Sequence, residues 1–306
     1  MNALSSILNQ AGTAAELGLM SAVTVLALFL SYRMLNVCDL STDGCFTLGA
    51  AVGAVIAIAG HPVLSIPAAM LAGSCSGLIT ALLQTRLGIN SLLSGIIVNT
   101  GLYSVNIAVM GGSSILNMNK TDTIFTGMKA LLDGTPLAGQ YKLITAFLAV
   151  TVIVVFLTAF LKTRLGLAIR ATGDNPDMVS SSSIDPAMTT IVGLCISNSF
   201  TALSGCLLAQ SQKSVNIDIG SGMVTIALAS LLIGGILTQK GGTLSKAIGA
   251  VLGAIIFRLV YAAALRFEMP AYMLKLVSSF IVMLAISIPY LRSHMDELRR
   301  RMELRR

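Results

Sequence analysis

Few residues in this chain have the type and setting to do chemistry, and those few are polar groups placed among apolar ones. Glu16, Asp39, Asp43, Arg258 and Lys275 are ionisable and lie in or beside long apolar runs. A charge in hydrocarbon is costly, so such a group is read as functional by default. Glu16 and Lys275 stand near the ends of their runs, where a side chain can reach the interface. Arg258 is deeper, inside Ile255-Ile-Phe-Arg-Leu-Val260, where an acidic residue or a substrate carboxylate would suit it. Asn99, Asn106 and Asn198 are amides on apolar segments. Hydrogen bonding between helices is the common use of such groups, and lining a pore the rarer one.

Two segments combine an acidic residue with hydroxyls and glycines just ahead of an unusually short apolar run. They are Asn36-Val-Cys-Asp-Leu-Ser-Thr-Asp-Gly44 before residues 45–59, and Asn216-Ile-Asp-Ile-Gly-Ser-Gly222 before residues 223–237. Interrupted spans at matching positions of inverted halves are the best sequence pointer to a transporter's substrate path. Asp39, Ser41, Gly44, Asn198, Asp218, Gly220 and Gly222 are therefore the candidate path residues.

Other chemistry finds no support in the residues. No GxxxxGK[ST] occurs, so no P-loop is available to cradle nucleotide phosphates; Gly241-Gly-Thr-Leu-Ser-Lys246 comes nearest and lacks the Gly before Lys. There is no HExxH, no GxSxG, no CxxC and no His-rich cluster. No enzyme activity, cofactor or metal is expected of this chain. Cys38, Cys45, Cys75, Cys195 and Cys206 read as small packing residues.

The elements that must position these groups are membrane helices. Of 306 residues, 55% are hydrophobic and 11% charged, and the mean hydropathy is +0.85. Soluble domains carry about a quarter charged residues. Apolar stretches recur at residues 17–32, 45–59, 62–83, 92–110, 143–160, 188–209, 223–237, 248–265 and 272–291, without the period-two alternation of a barrel. The expectation is an all-α, polytopic helical bundle of about nine spans, one transmembrane domain over residues 1–306, in the plasma membrane. The second and seventh spans are the two short ones, an odd offset that gives the two copies opposite orientations, as in an inverted repeat.

The net charge of +7 reads as topology and not as a nucleic-acid surface. About thirteen Lys and Arg residues can share one side, in the tail 292–306, the loop 162–186, the turn 239–246, Arg86 and Arg33. About five (Lys120, Lys129, Lys142, Lys213, Arg266) fall on the other. The richer side is expected to be cytoplasmic, which makes 111–141 the long extracytoplasmic loop, a dock for a binding protein. The tail reads as a basic amphipathic helix anchored on anionic lipid. GxxxG pairs at Gly49/Gly53, Gly73/Gly77 and Gly249/Gly253 favour a tight bundle.

The loop 162–186 carries helix stop and start signals. Residues 166–171 can continue the preceding span, and Gly173 is a plausible stop. Asn175 suits an N-cap, Pro176 the first helical position and Asp177 the positive end of the dipole. A short helix is expected over 176–183, with Met178 and Val179 as an apolar ridge for a groove on a soluble partner.

Here the sequence resembles a known family. Arg170-Ala-Thr-Gly-Asp-Asn-Pro-Asp-Met178, Ile184-Asp185, Ser197-Asn-Ser and Leu203-Ser-Gly-Cys-Leu-Leu-Ala-Gln210 look like permease subunits of ATP-binding-cassette importers. The branch is that of the branched-chain amino acid and ribose-type permeases, and within it a bacterial subfamily paired with lipoprotein-like binding proteins. Asp39-Leu-Ser41 with Gly44, and Leu232-Ile-Gly-Gly235, are similar to the motifs of its two halves. The resemblance implies a translocation path for an amino acid or similar small solute. It also implies a separate ATPase subunit that holds the ATP and Mg²⁺, a solute-binding lipoprotein and a second permease copy. Asn175, Pro176, Asp177, Met178 and Val179 would form the coupling helix that enters the ATPase. One departure is the serine run Ser180–Ser183, since members usually carry a Gly before the Ile. The alternative reading is an ion-gradient-driven secondary transporter, which predicts carboxylates deep within spans.

Overall fold

The computed structural model describes residues 2–134, 138–238 and 241–265, with a few residues between 276 and 287. The chain forms α1 (Asn2–Leu28), which runs into a π-helical turn at Phe29–Met34, then α2 (Thr42–Ile58), α3 (Ser65–Thr85) and α4 (Ser91–Val109). A strand β1 (Ile115–Asn117) and α5 (Ile124–Leu132) precede α6 (Tyr141–Phe160). Next come α7 (Arg164–Asp174), α8 (Pro176–Ser181), α9 (Pro186–Gln212), β2 (Ser214–Asn216), α10 (Met223–Leu237) and α11 (Thr243–Leu265). The helical bundle thus carries one small ribbon, β1 antiparallel to β2 with Leu116 opposite Val215.

Among the described residues, six helices are long and apolar enough to cross a membrane: Gly12–Met34, Ser65–Thr85, Ser91–Val109, Tyr141–Phe160, Pro186–Gln212 and Thr243–Ala264. α2 and α10 are the shorter apolar helices. The expected nine crossings therefore resolve, among the described residues, into six full-length helices and two short ones. Most of the ninth segment, Lys275, Arg266 and the tail lie outside the described residues.

α1 and α9 are buried along most of their length, whereas α3, α4, α6 and α11 leave apolar faces exposed. Leu71, Ile79, Ile96, Ile97, Phe147 and Val152 stand on those faces. Lipid solvates such side chains as well as protein does, so burial alone cannot hold these helices together. Close backbone approach does that instead. An added Cβ at Gly49 would fall on the backbone of Ala202, and one at Gly53 would lie 2.5 Å from Cys206 Sγ. Gly73 and Gly77 meet the carbonyls of Asn198 and Leu194. The central α9 is thus clamped between a parallel α2 and an antiparallel α3. The third pair works the same way on another partner: Gly249 and Gly253 seat α11 on Gly234 and Ser230 of α10.

The two short helices start inside the bundle. Cys45 Sγ donates to Asn198 O at 3.2 Å, near the middle of the 27-residue α9. From there α2 runs toward the end of the bundle that carries β1 and β2. α10 starts beside Asp43 and runs the opposite way, to Thr238 beside Lys246 and Arg33. Each is fed by a non-helical segment that re-enters from its own end. The described cations sort accordingly. Arg33, Arg86, Lys162, Arg164, Arg170 and Lys246 lie at the α8 end, and Lys120, Lys129, Lys142 and Lys213 at the ribbon end.

The loop between α6 and α9 differs from expectation in three ways. Residues 166–171 do not continue α6. They belong to a separate helix, α7, capped by Thr163, whose Oγ1 accepts from Gly166 N at 3.3 Å. Gly173 is not a left-handed stop; it lies within α7, where a Cβ would fall on Met34 O and within 2.9 Å of Leu35 Cα. α8 ends at Ser181 and not at Ser183, because Ser183 turns left-handed at φ 62°. That is the conformation glycine adopts without a Cβ penalty, about 1–2 kcal/mol for other residues. Ser183 is the residue just before Ile184, where the family resemblance led to the expectation of Gly. Ser183→Gly should slow amide exchange at Ile184, whose N–H reaches Val179 O at 3.4 Å, and Ser183→Val should quicken it. Equal exchange in both variants would remove left-handed strain as the reason for the early stop.

Candidate functional site

Where the two short helices begin, their N-termini meet. Asp43, in the first turn of α2, places Oδ1 2.9 Å from Val224 N and Oδ2 2.9 Å from Gly222 N. A side chain of the first half thereby caps the helix of the second. The unpaired N–H groups of a helix start and its dipole both favour a carboxylate there. Gly222 takes φ 83°, which turns the chain into α10, and Gly220 sits on the Asp43 carbonyl so closely that a Cβ would collide with it.

Beside this junction lies a cavity of about 330 Å³, walled by α2 (Asp43, Gly44, Thr47), α4 (Asn99, Thr100, Tyr103, Asn106) and the segment before α10 (Ile217, Asp218, Ser221). Its polar groups are carboxylates, amides and hydroxyls, with no Lys, Arg or His among them. Gly44 is a close-approach position, since a Cβ would come 2.6 Å from Asn99 Oδ1. Asn106 is 1% exposed; its Nδ2 donates to Gly44 O at 3.1 Å, while Oδ1 is buried with no hydrogen-bond partner. An unmade bond of that kind costs about 1–3 kcal/mol. The wall carries two carboxylates, Asp43 and Asp218, among amides and hydroxyls that can both donate and accept.

Of the candidate path residues, Gly44 and Asp218 line the cavity, and Gly220 and Gly222 form its joint with α10. Asp39, Ser41 and Asn198 lie behind the wall. Asp39 is 1% exposed; Oδ1 accepts from Ser41 N at 2.8 Å and Oδ2 from Asn198 Nδ2 at 2.7 Å. Ser41 Oγ accepts from Thr80 Oγ1 at 3.3 Å. This network ties the re-entrant segment to α9 and α3. Both Asp39 and Asp43 stand at helix starts, yet those starts lie in the interior of the bundle, which the sequence did not reveal.

Asn99 and Asn106 were singled out in the sequence, but Tyr103 was not. The signal that could have found it is spacing: steps of four and three put Asn99, Tyr103 and Asn106 on one face of α4. Asn106 both joins helices and lines the cavity, so the two uses weighed from sequence coexist. Among the described residues, Arg258 meets no acidic side chain and does not line this cavity; its Nε donates to Ser21 Oγ on α1 at 3.4 Å.

At the α8 end, Asn175 takes φ −159°, closing α7 and capping α8 through Oδ1, which accepts from Met178 N at 3.1 Å. Pro176 and Asp177 occupy the first turn. The apolar ridge expected of Met178 and Val179 divides. Val179 is 4% exposed and anchors α8 to the bundle, while Met178 is 67% exposed.

The arrangement is that of a membrane transport protein: short helices entering from opposite ends, their starts facing each other at an interior polar cavity. The residues 10–287 match the family of the branched-chain amino acid transport system/permease component, and the chain belongs to that family. It is 32% identical to the tyrosine transport system permease protein of Clostridioides difficile, over 86% of each chain. Identity to the galactose/methyl galactoside import permease of Haemophilus influenzae is 25%, over 75% of this chain and 68% of the relative. The probable branched-chain amino acid transport permease of Methanocaldococcus jannaschii is 24% identical, over 90% of this chain and 78% of that one. No solved structure matches the chain significantly. The protein is a multi-pass inner-membrane permease component of an ATP-binding-cassette transport system, a family membership that implies ATPase and binding-protein partners.

Proposed function

We propose that this chain forms the path by which an amino acid or a similar small polar solute is imported, and that α8 delivers the stroke of a separate ATPase subunit to that path. The observation that carries the reading is a continuous line of contacts from α8 to the cavity. α8 is anchored through Val179 and shares Asn175 with α7. α7 rests through Gly173 on Met34 and Leu35. The chain then passes through Asn36 (φ 57°) to Asp39 and Ser41, and so into α2, whose Asp43 caps α10. A displacement of α8 moves the re-entrant segment and with it the cavity wall. Hydrolysis itself belongs to the partner, which carries the ATP and Mg²⁺.

Asn175, Pro176, Asp177 and Met178 face outward for the ATPase, with Met178 as the apolar knob, and Val179 holds the helix in place. The α8 end, rich in cations, is then cytoplasmic. The ribbon end, with α5 and the 111–141 loop, faces the binding lipoprotein. A second permease copy completes the path. The names of the tyrosine and branched-chain amino acid relatives support an amino acid as cargo, and the two carboxylates of the cavity suit its ammonium group.

The test uses the chain reconstituted with its ATPase and binding protein. Asn175→Pro forces φ from −159° toward about −65°, which breaks the junction of α7 and α8. Asp177→Lys reverses the charge at the helix start. Each should lower ATP-driven uptake by roughly tenfold or more while the complex still hydrolyses ATP and the permease still folds. Unchanged uptake in both would sink the coupling role of α8. Uptake by the chain alone, driven by an ion gradient, would favour the secondary-transporter reading.

A further inference from the structure

At the α8 end two cavities of opposite character adjoin. One, of about 500 Å³, is polar and holds Arg33, Arg170 and Lys246 with Tyr32, Asn36 and a single acidic residue, Asp174. The other, of about 260 Å³, is an apolar cleft between Phe29 of the π-helical turn and Leu231, Leu232 and Ile236 of α10. Tyr32, Arg33 and Lys246 line both and form the seam between them. The cations come from three elements distant in sequence: the π-helical turn, α7 and the start of α11.

Local structure aims these groups. The π-helical turn at Phe29–Met34 keeps Phe29, Leu30, Ser31 and Met34 buried and leaves Tyr32 and Arg33 facing out. Its wider winding shows in Leu35 N, which bonds to Leu30 O at 3.0 Å, five residues back. Such turns recur at functional sites. Among the described residues, no hydrogen bond or ion pair engages the side chains of Arg33, Arg170 or Lys246. Three cations against the one carboxylate of Asp174 leave the cavity with a positive excess, which a further anion between them would relieve.

We propose that this paired cavity is a binding site for an anionic phospholipid, with the headgroup phosphate among Arg33, Arg170 and Lys246 and an acyl chain in the cleft beside Leu232. Charge complementarity selects the phosphate, and basic pockets between membrane helices have this use. The apolar cleft sharing its rim selects a lipid over a free anion. The site touches the hinge of the coupling line, because Gly173 and Met34 lie at the same cavity. A bound lipid would therefore stiffen the contact between α7 and the start of the re-entrant segment.

The test places the full chain in nanodiscs of phosphatidylcholine containing a minor fraction of phosphatidylglycerol, and measures retained phosphatidylglycerol by native mass spectrometry. Neutralising a cation is expected to weaken retention roughly fivefold each, so that Arg33→Gln/Arg170→Gln/Lys246→Gln loses on the order of 100-fold. The control triple variant Lys120→Gln/Lys129→Gln/Lys213→Gln, at the opposite end, should retain the lipid. Gly235→Leu probes the cleft without touching charge. Gly235 lines the cleft and, among the described residues, a Cβ there meets nothing within 4 Å, so a leucine side chain has room to take the acyl chain's place. Undiminished retention in the Gln triple variant would overturn the proposal, as would inorganic phosphate stabilising the chain equally well in pure phosphatidylcholine. Loss of ATPase co-purification with lipid retention intact would assign these cations to the protein partner and overturn it as well.

Discussion

Asp43→Ala should leave a permease that reaches the membrane but is less stable and does not transport. The substitution removes the acceptor of two N–H groups at the start of α10, at Gly222 and Val224. A lost cap costs about 0.5–2 kcal/mol in water-exposed helices. A donor left unpaired away from water costs about 1–3 kcal/mol. Asp43 is only half-buried and the cavity beside it is polar, so about 2 kcal/mol is the expected loss. Transport suffers more than stability, because this carboxylate joins the first turn of α2 to the start of α10 through both of its oxygens. Asp43→Asn separates geometry from charge. Its carbonyl can still accept from one N–H, but its amide turns a donor toward the other, so stability should fall between wild type and the alanine variant. The measurements are thermal unfolding in detergent and uptake with the ATPase and binding protein present. An alanine variant that unfolds and transports like wild type would show that the contact is incidental.

Gly205→Leu is expected to do greater damage to the fold itself. A Cβ at Gly205 would fall on the Phe46 carbonyl, with Ala50 N at 3.1 Å. The obstacle is backbone, which cannot rotate aside as a side chain can. α2 and α9 would have to separate, at a cost on the order of 3 kcal/mol or more. The separation would also strip Asn198 from Asp39, since the bond between them spans the same interface. Little folded protein should be recovered, and Gly205→Ala should show the same effect in milder form. Gly101→Leu is the counterpart, a glycine on α4 where a Cβ meets nothing within 4 Å, and it should accumulate normally. Similar yields for the two leucine variants would mean that the glycine notch is not what holds α9.

Much of this was legible in the residues. Hydrophobic runs mark membrane helices because hydrocarbon demands that every backbone polar group be paired within its own segment. Eight of the nine runs are helical among the described residues. The cap at Asn175 was readable because an N-cap is a local bond, closed here within three residues. The early end of α8 was not: the serine run names no stop, and Ser183 takes a conformation its type does not favour. Val179 and Met178 look equivalent as a ridge, and only the bundle beneath them sends one inward and the other out.

By itself, the sequence determined the class of protein, the positions of its long apolar helices and the two interrupted segments. These depend on hydropathy, local hydrogen bonding and short motifs, which are properties of neighbours along the chain. Tertiary structure alone decided which polar groups serve the cavity. Asp39 and Asp43 are four residues apart in one motif, yet Asp39 is locked to Asn198 on α9 and Asp43 to Gly222 and Val224 before and within α10. Partners some 160 to 180 residues away carry no mark of that pairing in composition or spacing. The reason is physical: a buried carboxylate settles wherever the packed backbone offers it donors, and those donors exist only once the two halves have closed on each other.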